Sequence, residues 1–173
     1  MSQLPVVGMM IGDPAGVGPE VCVRTAAAPE LAGVCRTVLI GDLGVLRRAA
    51  VVCGLSLRFE PVTDPSEQLP AGVIGVVDPG GFDVDRCEIG KASANSGNAV
   101  LQWIARGEEL GRSGRLQGLV MGPVESASLM ATGKIKDIDD LQPAGTFMMR
   151  ISSKLRVVPL TEHVSLSDAI TTT

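Results

Sequence analysis

The stretch Gly12-Asp13-Pro14-Ala15-Gly16-Val17-Gly18-Pro19-Glu20 holds the residue types best suited to contact a ligand. Glycines let a backbone come close to a bound group, and the free N–H groups at the start of a following helix can face a phosphate or a nicotinamide ribose. The stretch is neither a P-loop, which needs Gly-Lys-Ser/Thr, nor the G-x-G-x-x-G dinucleotide fingerprint. Two readings therefore stay open, a ligand-contacting turn and a purely structural one. His163 is the single histidine of the chain; at the end of a strand a lone histidine is more often a hydrogen-bonded core or surface residue than a functional one. Asp137, Asp139 and Asp140 sit close together but lack the Gly and the closing Glu of a calcium loop. Lys134 and Lys136 beside them read as solvated charges, or as a means of neutralising an anionic group. Cys22, Cys35, Cys53 and Cys87 form no C-x-x-C pair, so they read as buried free thiols of a reducing compartment, with no zinc site and no disulfide framework. No acid-base residue stands out.

The elements that must position these residues follow from hydrophobic runs and their punctuation. Val6 to Gly12 is a short apolar run ending in Asp-Pro-Ala-Gly, the pattern of a buried strand entering a turn. A helix is expected from Pro19 to Ala28, with Pro19 in its first turn, Glu20 beside the positive end of its dipole, and Pro29 closing it. Thr37 to Gly41 reads as a second buried strand, and Asp42 as the cap of a helix reaching Cys53. Leu57 to Val62 and Val73 to Val77 are further strands, and Asp78-Pro79-Gly80-Gly81 is a turn. The apolar residues Val100, Leu101, Ile104, Ala105 and Leu110 recur at helical spacing, predicting a helix over Asn95 to Arg112 ended by Gly111 and Gly114. Leu116 to Gly122 is a strand, Val124 to Ala131 a short helix, and Phe147 to Ile151 and Leu155 to Leu160 two strands close together. Strands alternating with helices in this order predict an α/β fold, a mostly parallel sheet with flanking helices and right-handed crossovers.

Composition agrees with that class. The 173 residues are 45% hydrophobic and 20% charged, with a net charge of -4, which is neither a disordered chain nor a basic nucleic-acid binder. Aromatic residues make up only 2%, so aliphatic side chains and methionine must fill the core, as in buried parallel strands. The N-terminus has no basic region ahead of its apolar run, so neither a signal peptide nor a membrane span is expected, and a cytoplasmic protein is. A helix starting at Ser165-Leu166-Ser167-Asp168 has hardly begun when Thr171-Thr172-Thr173 ends the chain, which points to truncation.

Three landmarks in order carry a family resemblance. G-D-P-A-G-V-G-P-E, residues 12–20, is similar to the opening signature of the 4-hydroxythreonine-4-phosphate dehydrogenase family and, more distantly, to the G-D-G-I-G-P-E opening of the isocitrate and isopropylmalate dehydrogenases. Gly90-Lys91-Ala92-Ser93-Ala94-Asn95-Ser96-Gly97 resembles the family's G-K-x-S-x-x-x-G helix start. Met148-Met149, Leu155-Arg156-Val157 and Thr161-Glu162-His163-Val164-Ser165-Leu166 resemble its M-M, L-R-V and T-x-H-x-x-L segments at matching spacing. The resemblance implies an isocitrate/isopropylmalate dehydrogenase-like fold with an incomplete second half. In it, residues 1–173 form the N-terminal portion of a two-domain dehydrogenase that returns to a second subdomain around 85–160. It also implies NAD as cofactor near Gly12, Asp13, Gly16 and Gly18, and a divalent metal, zinc or similar, held by His163. Since catalytic zinc takes three protein ligands, the other two histidines would lie beyond Thr173 or on a partner subunit. The implied activity is oxidation of a secondary alcohol of a small hydroxy acid or its phosphate, with decarboxylation, in a homodimer and with no membrane or nucleic-acid partner.

Two segments depart from the family pattern. Its A-P-I-x-K motif is Gly122-Pro123-Val124-Glu125-Ser126 here, with Ser126 at the lysine position, and its G-H-T-E segment is replaced by the charged run Gly133 to Asp140. Alternative readings are accordingly a truncated non-catalytic homologue, and a phosphometabolite-binding or interaction protein that retains the scaffold.

Overall fold

The computed structural model describes residues 4–143, 145–161 and 164–172. They divide into two compact units, Met1–Ile138 and Asp139–Thr173.

In the first unit five strands form one parallel sheet: β1 (Val6–Met10), β2 (Arg36–Ile40), β3 (Arg58–Pro61), β4 (Val73–Val77) and β5 (Gly118–Met121), in the order β3-β4-β2-β1-β5. The expected parallel α/β sheet is therefore the observed one. Helices α1 (Gly18–Ala26), α2 (Leu43–Val52) and α3 (Ala94–Arg112) are the crossovers, and a short α4 (Ser126–Met130) follows β5. Right-handed crossovers that first move away from β1 and then return to its other side put α1 and α2 on one face and α3 on the other. The inner strands are aliphatic because both their faces are covered: Val38, Leu39, Ile40, Val76 and Val77 are all buried. Trp103 of α3 is fully buried and meets Phe82 edge-on, with ring centroids 5.8 Å apart, so two of the four aromatics pack against one another.

The two sheet edges differ. β3 carries Arg58, Glu60 and Pro61, a charged and proline-guarded edge that resists further pairing. β5 instead presents Leu119, Val120 and Met121, between 39% and 49% exposed.

Local chemistry sets the helix ends. Asp42 accepts a hydrogen bond from the Val45 amide at 2.8 Å and caps α2. Ser93 caps α3 through the Ser96 amide at 3.1 Å. Gly111 does not end α3: the helix runs on to Arg112, and the left-handed residue after it is Gly114 at φ 74°. Gly97, one turn into α3, lies against the Ser128 carbonyl, where any Cβ would collide with backbone. The Ser and the final Gly of the G-K-x-S-x-x-x-G pattern thus have structural reasons, a cap and a close helix contact.

All four cysteines are free; Cys22 and Cys87 are buried, whereas Cys35 and Cys53 are half-exposed, which departs from a wholly buried set. Burial pushes the Cys22 thiol up from 9.0 to about 12.

The second unit, described by itself, contains an antiparallel pair β6 (Arg150–Ile151) and β7 (Arg156–Val157) and a helix α5 (Leu166–Thr172). The strands expected over Phe147 to Ile151 and Leu155 to Leu160 shrink to two residues each. Their apolar runs have nothing to bury them, since no described residue of this unit is buried. Phe147, Leu160 and Leu166 are 80% exposed or more. The Ser165 hydroxyl accepts from the Asp168 amide at 3.2 Å and donates to its carboxylate at 2.7 Å, which starts α5 where the sequence places it.

Two outcomes are expected. Gly97→Ala should lose roughly 1–3 kcal/mol in urea denaturation by overpacking, whereas Gly111→Ala, helical and facing open space, should gain about 0.5–1 kcal/mol; equal effects would contradict the contact assigned to Gly97. Because the Cys22 pKa is raised on folding, its contribution to stability is complete below pH 9 and is lost toward pH 12. Native-state labelling with a thiol reagent at pH 8 should therefore modify Cys35 and Cys53 well before Cys22.

Candidate functional site

All five strands point the same way, so the turns after β1, β2, β4 and β5 gather at one end of the sheet. From β1 the chain moves first to β2 on one side and later to β5 on the other. The carboxyl ends of β1 and β5 therefore flank the topological switch point, where open α/β sheets form ligand crevices. A cleft of roughly 200 Å³ lies there, lined by Asp13, Ala15 and Gly16 after β1, Gly90, Lys91 and Ala92 before α3, and Glu125 and Ser128 around the start of α4. Two of the sequence landmarks thus meet, and the Gly90 amide donates to the Ala15 carbonyl at 2.8 Å to join them.

The four residues singled out in the first turn divide by environment. Gly12, at φ 76°, has the Pro123 carbonyl where a Cβ would be, and Gly18 has the Ile11 carbonyl there. Both allow the turn after β1 to pack on the turn after β5, a contact made also by the Asp13 amide donating to the Pro123 carbonyl at 2.9 Å. Gly16 lines the cleft, and a Cβ on it would make ordinary contact with Asp13 at 3.6 Å.

Asp13 is 2% exposed. Its Oδ1 accepts from the Ala15 amide at 2.7 Å, while Oδ2 has no hydrogen-bond partner. An unpaired buried carboxylate oxygen costs free energy on the order of 1–3 kcal/mol or more and calls for an explanation. Glu125 accepts from the Ala127 amide at 3.0 Å, capping α4 from the cleft wall. Lys91 pairs with Glu88 at 2.6 Å on the surface. Ser128, fully buried, accepts from the Ser93 amide at 3.3 Å. Sequence reasoning does not single out Ser128; its signal is a small polar residue inside the apolar end of a short helix.

Ser126, at the family's lysine position, opens α4. His163 lies outside the described residues. Among the described residues no group of three His, Cys, Asp or Glu could hold a metal ion, and no helix is long and apolar enough to cross a membrane.

Comparison with known proteins agrees with the landmarks. The family model described as pyridoxal phosphate biosynthetic protein PdxA matches residues 33–173. A protein of Clostridium botulinum named as a D-threonate 4-phosphate dehydrogenase is 32% identical over 98% of this chain and 53% of its own length. The structure of a 4-hydroxythreonine-4-phosphate dehydrogenase from Burkholderia phymatum superimposes with a TM-score of 0.85 at 33% identity, covering 98% of this chain and 53% of that one. A terephthalate 1,2-cis-dihydrodiol dehydrogenase from Burkholderia xenovorans LB400 gives a TM-score of 0.72 at 26% identity, covering 98% and 52%. The chain thus spans about half the length of the relatives it matches. On its sequence landmarks, its sheet and these matches, the chain belongs to the PdxA family.

Proposed function

We propose that this chain carries the strand-end ligand site of an oxidoreductase that oxidises a secondary alcohol of a small hydroxy acid or its phosphate, with NAD as hydride acceptor. The observation that supports this best is the cleft at the switch point, where two family motifs meet and are joined by the Gly90 amide and the Ala15 carbonyl. A nicotinamide cofactor supplies the hydride acceptor when bound. The residues of this chain then bind and orient: Gly12 and Gly18 hold the two turns together, Asp13 fixes the turn through the Ala15 amide, and Gly16 faces the bound group. The residues fit part of such a cofactor, since the cleft is sugar-sized and lined by hydrogen-bonding groups.

The described residues do not assemble a metal site. His163 is proposed as a contact for zinc or a similar ion on its motif alone. A homodimer belongs to the same proposal, with the apolar edge of β5 as available surface. So does a cytoplasmic setting, which four free cysteines support.

The family departures favour a second reading, a homologue that binds its ligand without turning it over. Ser126 removes a cation next to the cleft, and the charged run Gly133 to Asp140 replaces the family's G-H-T-E segment.

The test is NADH formation by the full chain with D-threonate 4-phosphate or 4-hydroxythreonine 4-phosphate and added zinc. Turnover that falls at least tenfold in His163→Ala supports the oxidoreductase; ligand binding with no NADH supports the second reading. Gly16→Ala should leave the melting temperature unchanged, because a Cβ fits there, and Gly16→Val should weaken NAD binding at least tenfold by filling the cleft. Unchanged NAD affinity in that variant would place the cofactor elsewhere.

A further inference from the structure

The cleft wall formed by the turn after β5 carries a change of charge. Where the family pattern has a lysine this chain has Ser126, and the residue before it is Glu125. Glu125 is exposed and lines the cleft. Its Oε1 accepts from the Ala127 amide at 3.0 Å, which fixes the carboxylate at the start of α4, while its Oε2 makes no hydrogen bond to any described residue. Lys91, the one cation among the lining residues, is paired with Glu88 at 2.6 Å. Asp13 is buried and adds a second carboxylate that acts on the cleft through its charge alone. The amides of Ala15, Gly16 and Gly90 are taken by Asp13 and Ala15. The accessible wall thus offers an acceptor in a negative field, and no free cation to meet an anion.

Charge and geometry choose among the donors that could meet it. A neutral hydroxyl gains the hydrogen bond but nothing from the field. A guanidinium pairs best with two carboxylate oxygens side by side, and the Ala127 amide holds one of them. A divalent ion needs further ligands, and the described residues group no three of His, Cys, Asp or Glu to supply them. An ammonium is a compact charge that needs one accessible oxygen and negative surroundings, and both are present. We propose that Glu125 is a specificity-determining residue whose Oε2 holds a protonated amine of the ligand, so that the cleft favours an amino-bearing hydroxy acid over its counterpart with a hydroxyl in place of the amine. The inference rests on the cleft being the ligand site of the oxidoreductase reading, and it names one chemical group of that substrate. The space of roughly 200 Å³ takes the amine end of a small molecule, with any phosphate turned away from the two carboxylates.

The 4-phosphates of 4-hydroxythreonine and D-threonate form a matched pair of probes, one with an ammonium and the other with a hydroxyl on the second carbon. In calorimetric titration of the full chain the ammonium ligand should bind about threefold to tenfold more tightly, as expected for an ion pair partly open to solvent, and the preference should shrink as salt is raised. Glu125→Gln keeps an oxygen for the Ala127 amide and removes the charge. It should cancel the preference by weakening the ammonium ligand alone, with the melting temperature unchanged. Four results would overturn the proposal: equal affinities in the unaltered chain, tighter binding of D-threonate 4-phosphate, an equal loss of both ligands in Glu125→Gln, or no binding of either. The oxidoreductase reading fails separately. An ammonium preference abolished by Glu125→Gln, with no NADH formed from either ligand, removes that reading and leaves the role of Glu125 standing; NADH formed equally well from both ligands, with and without the substitution, does the reverse.

Discussion

The structure depends on a close backbone approach between the turns that follow β1 and β5. The Asp13 amide reaches the Pro123 carbonyl at 2.9 Å, and the Gly122 amide reaches the Met10 carbonyl at 2.8 Å. Neither turn could come so near with a Cβ at Gly12 or Gly18. Because β1 and β5 meet where the sheet reverses its direction of growth, this contact fixes the floor of the cleft and the position of Asp13. The glycines of the signature are therefore explained first by packing; of the motif, Asp13, Ala15 and Gly16 line the cleft. Catalytic scaffolds commonly place strain and unpaired groups at such points and compensate for them in the core.

Much of this was legible in the sequence because local and global signals agree there. The aliphatic runs of β2 and β4, the Asp42 cap of α2 and the apolar spacing of α3 each have one dominant physical reading, and the structure follows them. The pairing of residues 13–16 with 90–92 was not legible. It depends on β5 taking the far side of β1, which no local pattern encodes. Gly97 illustrates the same limit: its place in a motif is visible, but the Ser128 carbonyl that requires it comes from an element thirty residues on. The strands around Arg150 and Arg156 failed in the opposite sense, since an apolar run predicts a buried strand only where another surface covers it.

The distribution of exposed apolar residues bears on how the chain is used. One sheet edge is guarded by charge and proline, while the other presents Leu119, Val120 and Met121, and the unit from Asp139 onward buries none of its described residues. Small units of this kind are marginal alone. Relatives about twice as long share this half of the fold, so chemistry located in their other half does not transfer to this chain by similarity alone.

The central claim is that the two motifs form one ligand site at the end of β1 and β5. Amide chemical-shift mapping of the full chain during titration with NAD tests it most directly. The account predicts shifts concentrated at Ala15, Gly16, Gly90 and Ala92, on both sides of the cleft; shifts confined to residues remote from it, or none at saturating concentration, would contradict it.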